Sequence, residues 1–180
     1  HYLARYDNGA YAKIVTEGDV HTANQEAAGL SKRADAKTFI YAWLYGAGDA
    51  KIGSIVNGSA TDGSRLKENF MRKNPAVRYL TDAVRRKVKQ YGQLRGLDGR
   101  KLPCRSPHSA LNLLLQSAGA VIMKQALVEF VNTATKPYEM HANVHDEVQF
   151  SCKSDDADEL GQQFVDAIKK AGKVLDFECP

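Results

Sequence analysis

At 180 residues, 43% hydrophobic and 26% charged, the chain has the length of one domain or two small ones and enough apolar content to bury a core. It contains no run approaching 18 consecutive apolar residues and no basic start leading into an apolar stretch with a small-residue cleavage site, so neither a membrane partner nor a secretory signal is expected. The formal charge of +4 is unevenly spread: from Arg65 to Arg105, 13 of the 25 basic residues meet only Glu68, Asp82 and Asp98, giving +10 there and −6 elsewhere.

The three cysteines, Cys104, Cys152 and Cys179, are odd in number and far apart. That pattern excludes a dense disulfide framework and a CxxC knuckle, and suits a reducing, cytoplasmic compartment. The first residue is His1 and not Met, so a piece of a longer protein is expected. The basic middle suits a polyanion-binding surface, because each neutralised phosphate releases counterions. It equally suits a solvated helix face.

In chain order, Tyr2 to Val15 reads as helix interrupted at Asn8-Gly9. Ser31 is a plausible cap for an apolar-rich helix to Tyr45, ended by Gly46 and Gly48. A short helix spans Asp49 to Val56, and two more run from Thr61 to Lys73 and from Pro75 to Tyr91, with Pro75 well placed in a first turn. Gln93 to Arg105, with Asp98-Gly99 at its middle, reads as a β-hairpin. Ser106-Pro107 opens a long helix to about Asn132. Tyr138 to Lys153 alternates like two strands joined at His145-Asp146-Glu147, with Val144 and Val148 suggesting burial. Asp155 to Lys170 is an amphipathic helix with Leu160, Phe164, Val165 and Ile168 on its apolar stripe, and Val174 to Cys179 is expected to be a last strand. The order gives an α+β class.

Three constellations could carry chemistry. Arg33, Lys37, Tyr41 and Tyr45 recur every four residues, a step of about 400° that makes a slowly turning stripe. Two cations followed by two aromatic rings suit a phosphate chain followed by sugar and base; a surface helix with solvated cations and half-buried tyrosines would have the same spacing. Asp146 and Glu147 at a strand–strand turn suit a hard cation such as Mg²⁺, or an ordinary polar turn. His108, Asn112 and Gln116 recur every four residues along the long helix. They can reach nucleic-acid minor-groove acceptors, or form a buried polar network or a simply exposed face. His21, in Gly-Asp-Val-His-Thr, is by itself a structural histidine.

In this order the residues look like a known family. Arg33-x3-Lys37-x7-Tyr45-Gly46, followed a hundred residues later by Val144-His145-Asp146-Glu147, resembles motifs B and C of family A DNA polymerases. The stretch from Lys37 to Gly48, with Gly96-Leu-Asp-Gly-Arg100 and Ser106-Pro-His-Ser-Ala-Leu-Asn112, is most similar to replicative polymerases of podovirus-type bacteriophages. The resemblance implies a helical fingers subdomain over 1–105 and the C-terminal part of the palm, carrying motif C, over 106–180. It also implies a DNA-directed DNA polymerase acting by two-metal nucleotidyl transfer in a bacterial host's cytoplasm.

By the same resemblance, His21, Arg33 and Lys37 grip the triphosphate and Tyr41 lies against the sugar. Tyr45 and Gly46 border the template base. Asn112 and Gln116, with His108, meet the nascent pair or primer–template minor groove, and His145 places the primer end. Arg100 and Arg105 meet the DNA backbone. Asp146 ligates the metals, with Glu147 nearby. Mg²⁺, primer–template DNA and deoxynucleoside triphosphates are the implied cofactor and partners. Motif A, with a further metal-binding Asp, is expected upstream of His1, and the thumb elsewhere. The chain alone is therefore expected to be inactive until a second chain or segment supplies them. A non-catalytic DNA-binding module and a fragment of a single-subunit RNA polymerase are the competing readings.

Overall fold

The computed structural model describes residues 1–176 and Cys179. The helices are α1 (Ala4–Asp7), α2 (Ala10–Glu17), α3 (Val20–Ala28), α4 (Arg33–Leu44), α5 (Asp49–Gly53), α6 (Ala60–Lys73), α7 (Pro75–Tyr91), α8 (Ala110–Thr133) and α9 (Ala157–Val174). The strands β1 (Gln93–Arg95) and β2 (Lys101–Pro103) form one two-stranded sheet, and β3 (Glu139–Val144) and β4 (Glu147–Ser151) another. The expected α+β class is thus present. The chain divides into two compact units, His1–Leu94 with Leu102–Leu113, and Arg95–Lys101 with Leu114–Pro180.

The first unit is built around aromatic and small residues. Phe39 of α4 and Phe70 of α6 meet edge to face at 5.5 Å, and Trp43 meets Phe70 at 5.3 Å. Ala28, Leu30, Ala36, Ile52, Leu66 and Val77 close the same core. The Ser59 hydroxyl and the Asp62 carboxylate cap the start of α6 reciprocally. Contact between α5 and α6 is close enough that a β-carbon on Gly63 would overlap the Asp49 carbonyl oxygen. Lys67, with its side chain 19% exposed, pairs with Asp49 at 2.8 Å and donates to the Ala47 carbonyl.

In the second unit Phe130 of α8 is 1% exposed and sits among Tyr138, Phe150 and Phe164 at 4.9–5.7 Å. Leu160 and Ala167 of α9 complete that core. Lys170 pairs with Glu129 at 2.6 Å. Strands β3 and β4 are antiparallel, with Val144 opposite Glu147 and a register shift between Met140 and Ala142 that makes His141 the bulged residue.

Several expectations are corrected. The helix expected from Ser31 is capped instead by Lys32, extended at φ −122° and ψ 135° without a side-chain cap, and begins at Arg33. Helix α3 was not foreseen. His108 lies in a 3-10 turn, Pro107–Ser109, ahead of α8. The strands of the hairpin at His145-Asp146 are not buried: Val144 is 55% exposed, because the two-stranded ribbon reaches the core only at its Phe150 end. Val165 is exposed, and α9 buries Leu160, Ala167 and Ala171 instead. Helix α9 continues through Val174, and Leu175–Asp176 form a turn, so no strand begins at Val174; the rest of that expected strand falls on Phe177 and Glu178, outside the described residues.

All three cysteines are free. The segment Pro107–Thr133 is long and apolar enough, by length and a mean hydropathy of 1.3, to cross a membrane. Polar but uncharged Asn112, Gln116 and Ser117 break the apolar run that a strict count requires. Of its most apolar stretch 22% is buried.

Candidate functional site

In the first unit α4 separates its faces cleanly. Ala36 and Phe39 are fully buried, whereas Arg33, Lys37, Tyr41 and Tyr45 are all exposed, the two tyrosines at 51% and 59%. A core helix hides its rings; this one directs two outward in line with two cations. The stripe read from the four-residue spacing is therefore an exposed ridge, with its tyrosines a little more than half exposed.

Helix α3 packs against α4. Its N-cap is Asp19, whose Oδ1 accepts from the backbone amides of His21 and Thr22 and whose Oδ2 accepts from the Thr22 hydroxyl. The same carboxylate takes a bidentate pair from Arg33, Nε at 2.8 Å and Nη2 at 2.9 Å. The Arg33 guanidinium and the Thr22 hydroxyl beside it hold the Asp19 carboxyl far below the usual carboxylate range, and Asp19 in turn raises Arg33. Asp19 thus bonds the backbone amide of His21 on one side and the guanidinium of Arg33 on the other. The His21 Nδ1 is buried without a hydrogen-bond partner among the described residues.

At the other end of α4 the chain turns through Gly46 at φ +76°. A β-carbon there would lie 2.9 Å from the carbonyl oxygen of His108. Tyr45, Gly46 and His108 therefore share one corner. Arg105 is exposed, and Asn112, in the first turn of α8, is half-buried. On α7, Arg85, Arg86, Lys87 and Lys89 are exposed and make no ion pair among the described residues, whereas Arg65, Lys67 and Arg78 are paired with Asp62, Asp49 and Glu68.

In the second unit His145 and Asp146 form the two-residue turn between β3 and β4. His145 has φ +57°, a left-handed conformation that residues other than glycine adopt rarely and that clusters at functional sites. Asp146 is exposed and makes no hydrogen bond or ion pair among the described residues, while Glu147 accepts from Gln149 Nε2 at 2.6 Å. Hard carboxylate oxygens on adjacent residues at an open tip fit a divalent cation. No group of three His, Cys, Asp or Glu side chains that could hold a metal occurs among the described residues. Gln116 is exposed, and Arg100 is paired locally with Asp98 at 2.6 Å.

The sequence profile of DNA polymerase family A matches residues 11–180. The chain belongs to DNA polymerase family A. It is 45% identical over 181 residues to the DNA-directed DNA polymerase of Escherichia phage Phieco32, covering 94% of this chain and 29% of that one. The DNA-directed DNA polymerase of Escherichia phage T7 is 38% identical over 206 residues, covering 99% of this chain and 29% of that one. This family A chain therefore spans 29% of the length of these curated relatives. Among solved structures, the polymerase domain of Pol1 from M. smegmatis, in complex with DNA primer-template and dNTP, has a TM-score of 0.80 at 19% identity, covering 94% of this chain and 34% of that one. That likeness shows a shared fold.

The residue that sequence reasoning missed in this family A segment is Asp19. Its signal was available: an Asp after Gly18 and directly ahead of a run without Gly or Pro marks an N-cap. The pairing with Arg33, 14 residues on, leaves no local trace.

Proposed function

We propose that this chain is the nucleotide-gripping and DNA-guiding part of a template-directed DNA polymerase, with fingers over 1–105 and the C-terminal part of the palm over 106–180. The reaction is nucleotidyl transfer: the primer 3′ oxygen attacks the α-phosphorus of a deoxynucleoside triphosphate, and pyrophosphate leaves. The observation that supports it most is the exposed cation–aromatic ridge of α4 opposite a fully buried Phe39. Arg33 and Lys37 stabilise charge growing on the leaving pyrophosphate, and Lys37 gives it a proton. His21 joins them at the phosphates, and Tyr41 lies against the sugar. Tyr45, Gly46, His108, Asn112 and Gln116 meet the template base, the nascent pair and the minor groove, and Arg100 and Arg105 the backbone. His145 positions the primer end.

Asp146, with Glu147 beside it, would hold Mg²⁺, whose bound pair supplies acidification of the primer hydroxyl and neutralisation of the leaving phosphates. A further carboxylate comes from another segment, so the chain alone is inactive. It works in the host cytoplasm.

The test is Lys37→Ala in an enzyme reconstituted with a segment that supplies that carboxylate. Nucleotide affinity and turnover are both expected to fall; if neither changes, the phosphate role is wrong. Salt-dependent duplex binding with no response to nucleotide or Mg²⁺ would instead favour a non-catalytic module.

A further inference from the structure

The Asp19 carboxylate collects five hydrogen bonds from three residues. Three come from His21 and Thr22 and close the start of α3, at 3.0, 3.3 and 2.8 Å. Two come from Arg33, the first residue of α4. One side chain therefore ends one helix and orients a guanidinium on the next. Three of its five bonds come from its own helix and do not involve Arg33.

The edge used by that pair matters. A guanidinium carries five N–H donors in one plane. Asp19 takes the side formed by Nε and Nη2, so both protons of Nη1 and one of Nη2 are left, and Arg33 makes no other hydrogen bond among the described residues. The remaining protons form the end-on fork, which matches two oxygens of a phosphate. The Arg33 side chain is 55% exposed. Without Asp19 an arginine in that position would sample many rotamers, and ordering it would weaken ligand binding.

We infer that Asp19 is a positioning residue that holds the Arg33 fork ready for the polyphosphate of a nucleoside triphosphate. The inference rests on the reading of Arg33 as a phosphate-gripping residue. A carboxylate that merely neutralised the cation would have the opposite effect and weaken its pull on an anion. The experiment must separate the two by sign.

Asparagine caps helices as well as aspartate, so Asp19→Asn keeps the α3 cap and removes the charged clamp. The probe is inorganic tripolyphosphate, titrated calorimetrically into the 180-residue chain. Arg33→Ala is expected to weaken binding, and Asp19→Asn to weaken it about fivefold. The double variant is expected to be no weaker than Arg33→Ala alone, a coupling that a merely structural role for Asp19 would not produce. Should Asp19→Asn lack a melting transition, Thr22→Val, which removes the hydroxyl bond to Asp19, is expected to weaken binding about twofold.

If Asp19→Asn binds as tightly as the parent or more tightly while Arg33→Ala is weakened, positioning is overturned and the phosphate reading of Arg33 stands. Independent, additive losses overturn it equally. An unchanged Thr22→Val does the same where it replaces the unfolded variant. If Arg33→Ala itself leaves tripolyphosphate binding unchanged, the underlying reading has failed and the inference falls with it.

Discussion

The carbonyl oxygen of His108 lies 2.9 Å from where a β-carbon on Gly46 would stand, closing the corner after α4 against the turn that leads into α8. Gly46 also has φ +76°. Two independent requirements, a left-handed backbone and a close approach, therefore fall on one residue. Gly46→Ala is expected to lower stability by about 1–2 kcal/mol or more. Gly48→Ala is the control: its φ is −67° and nothing lies within 4 Å of a β-carbon there, so a change within about 0.5 kcal/mol is expected. Urea unfolding followed by Trp43 fluorescence measures both, and equal effects would contradict this account of the corner.

Asp19 makes a pH prediction with a definite sign. Its folded-state pKa is lowered, first by Arg33 and then by Thr22. A lowered carboxylate pKa stabilises the fold above the ordinary carboxylate value and loses that contribution as pH falls through the folded value. The Asp19 carboxyl carbon should therefore keep its ionised chemical shift at pH values where free aspartate, with a pKa of about 3.9, is half protonated. The shift should follow a free aspartate in Arg33→Ala more closely than in the parent. A midpoint near 4 in the parent would show that the pair does not hold in solution.

His145 predicts a split between backbone and side chain. Its φ of +57° is tolerated by asparagine far better than by β-branched residues. His145→Val is expected to cost about 1–2 kcal/mol, and His145→Asn to leave the melting temperature almost unchanged. Primer extension by the reconstituted enzyme should still drop in His145→Asn if the imidazole places the primer end. Normal extension in that variant would leave the turn with only a structural role.

Asp146 carries the sharpest functional prediction. It is exposed and makes no hydrogen bond or ion pair among the described residues, so Asp146→Ala should not destabilise the chain. In the reconstituted enzyme it should abolish extension while primer–template affinity stays near the parent value. Residual extension within tenfold, roughly 1.4 kcal/mol in barrier, would remove Asp146 from the metal-binding role.

Much of this was legible because it is local. The ridge of α4 follows from a spacing of four, the turn at His145-Asp146 from alternation on either side, and the start of α7 from Asn74-Pro75. Helix α3 escaped because Val20–Ala28 is mostly small and polar, and buries Asn24 and Ala28 through contact with its neighbours instead of an apolar stripe. The exposure of Val144 escaped for the opposite reason: an apolar residue predicts burial only where something exists to cover it. Arg33 was readable as a cation on a face, but its partner Asp19 lies on another helix, and only the packing of α3 on α4 unites them.

Lys67 ties Ala47 and Asp49, just beyond the end of α4, to the middle of α6, and Gly63 leaves no slack beneath them. The end of the ridge is thus fastened to its support like a handle bolted to a frame, and swapping Lys67 for a shorter side chain would remove both of those bonds without touching the ridge itself.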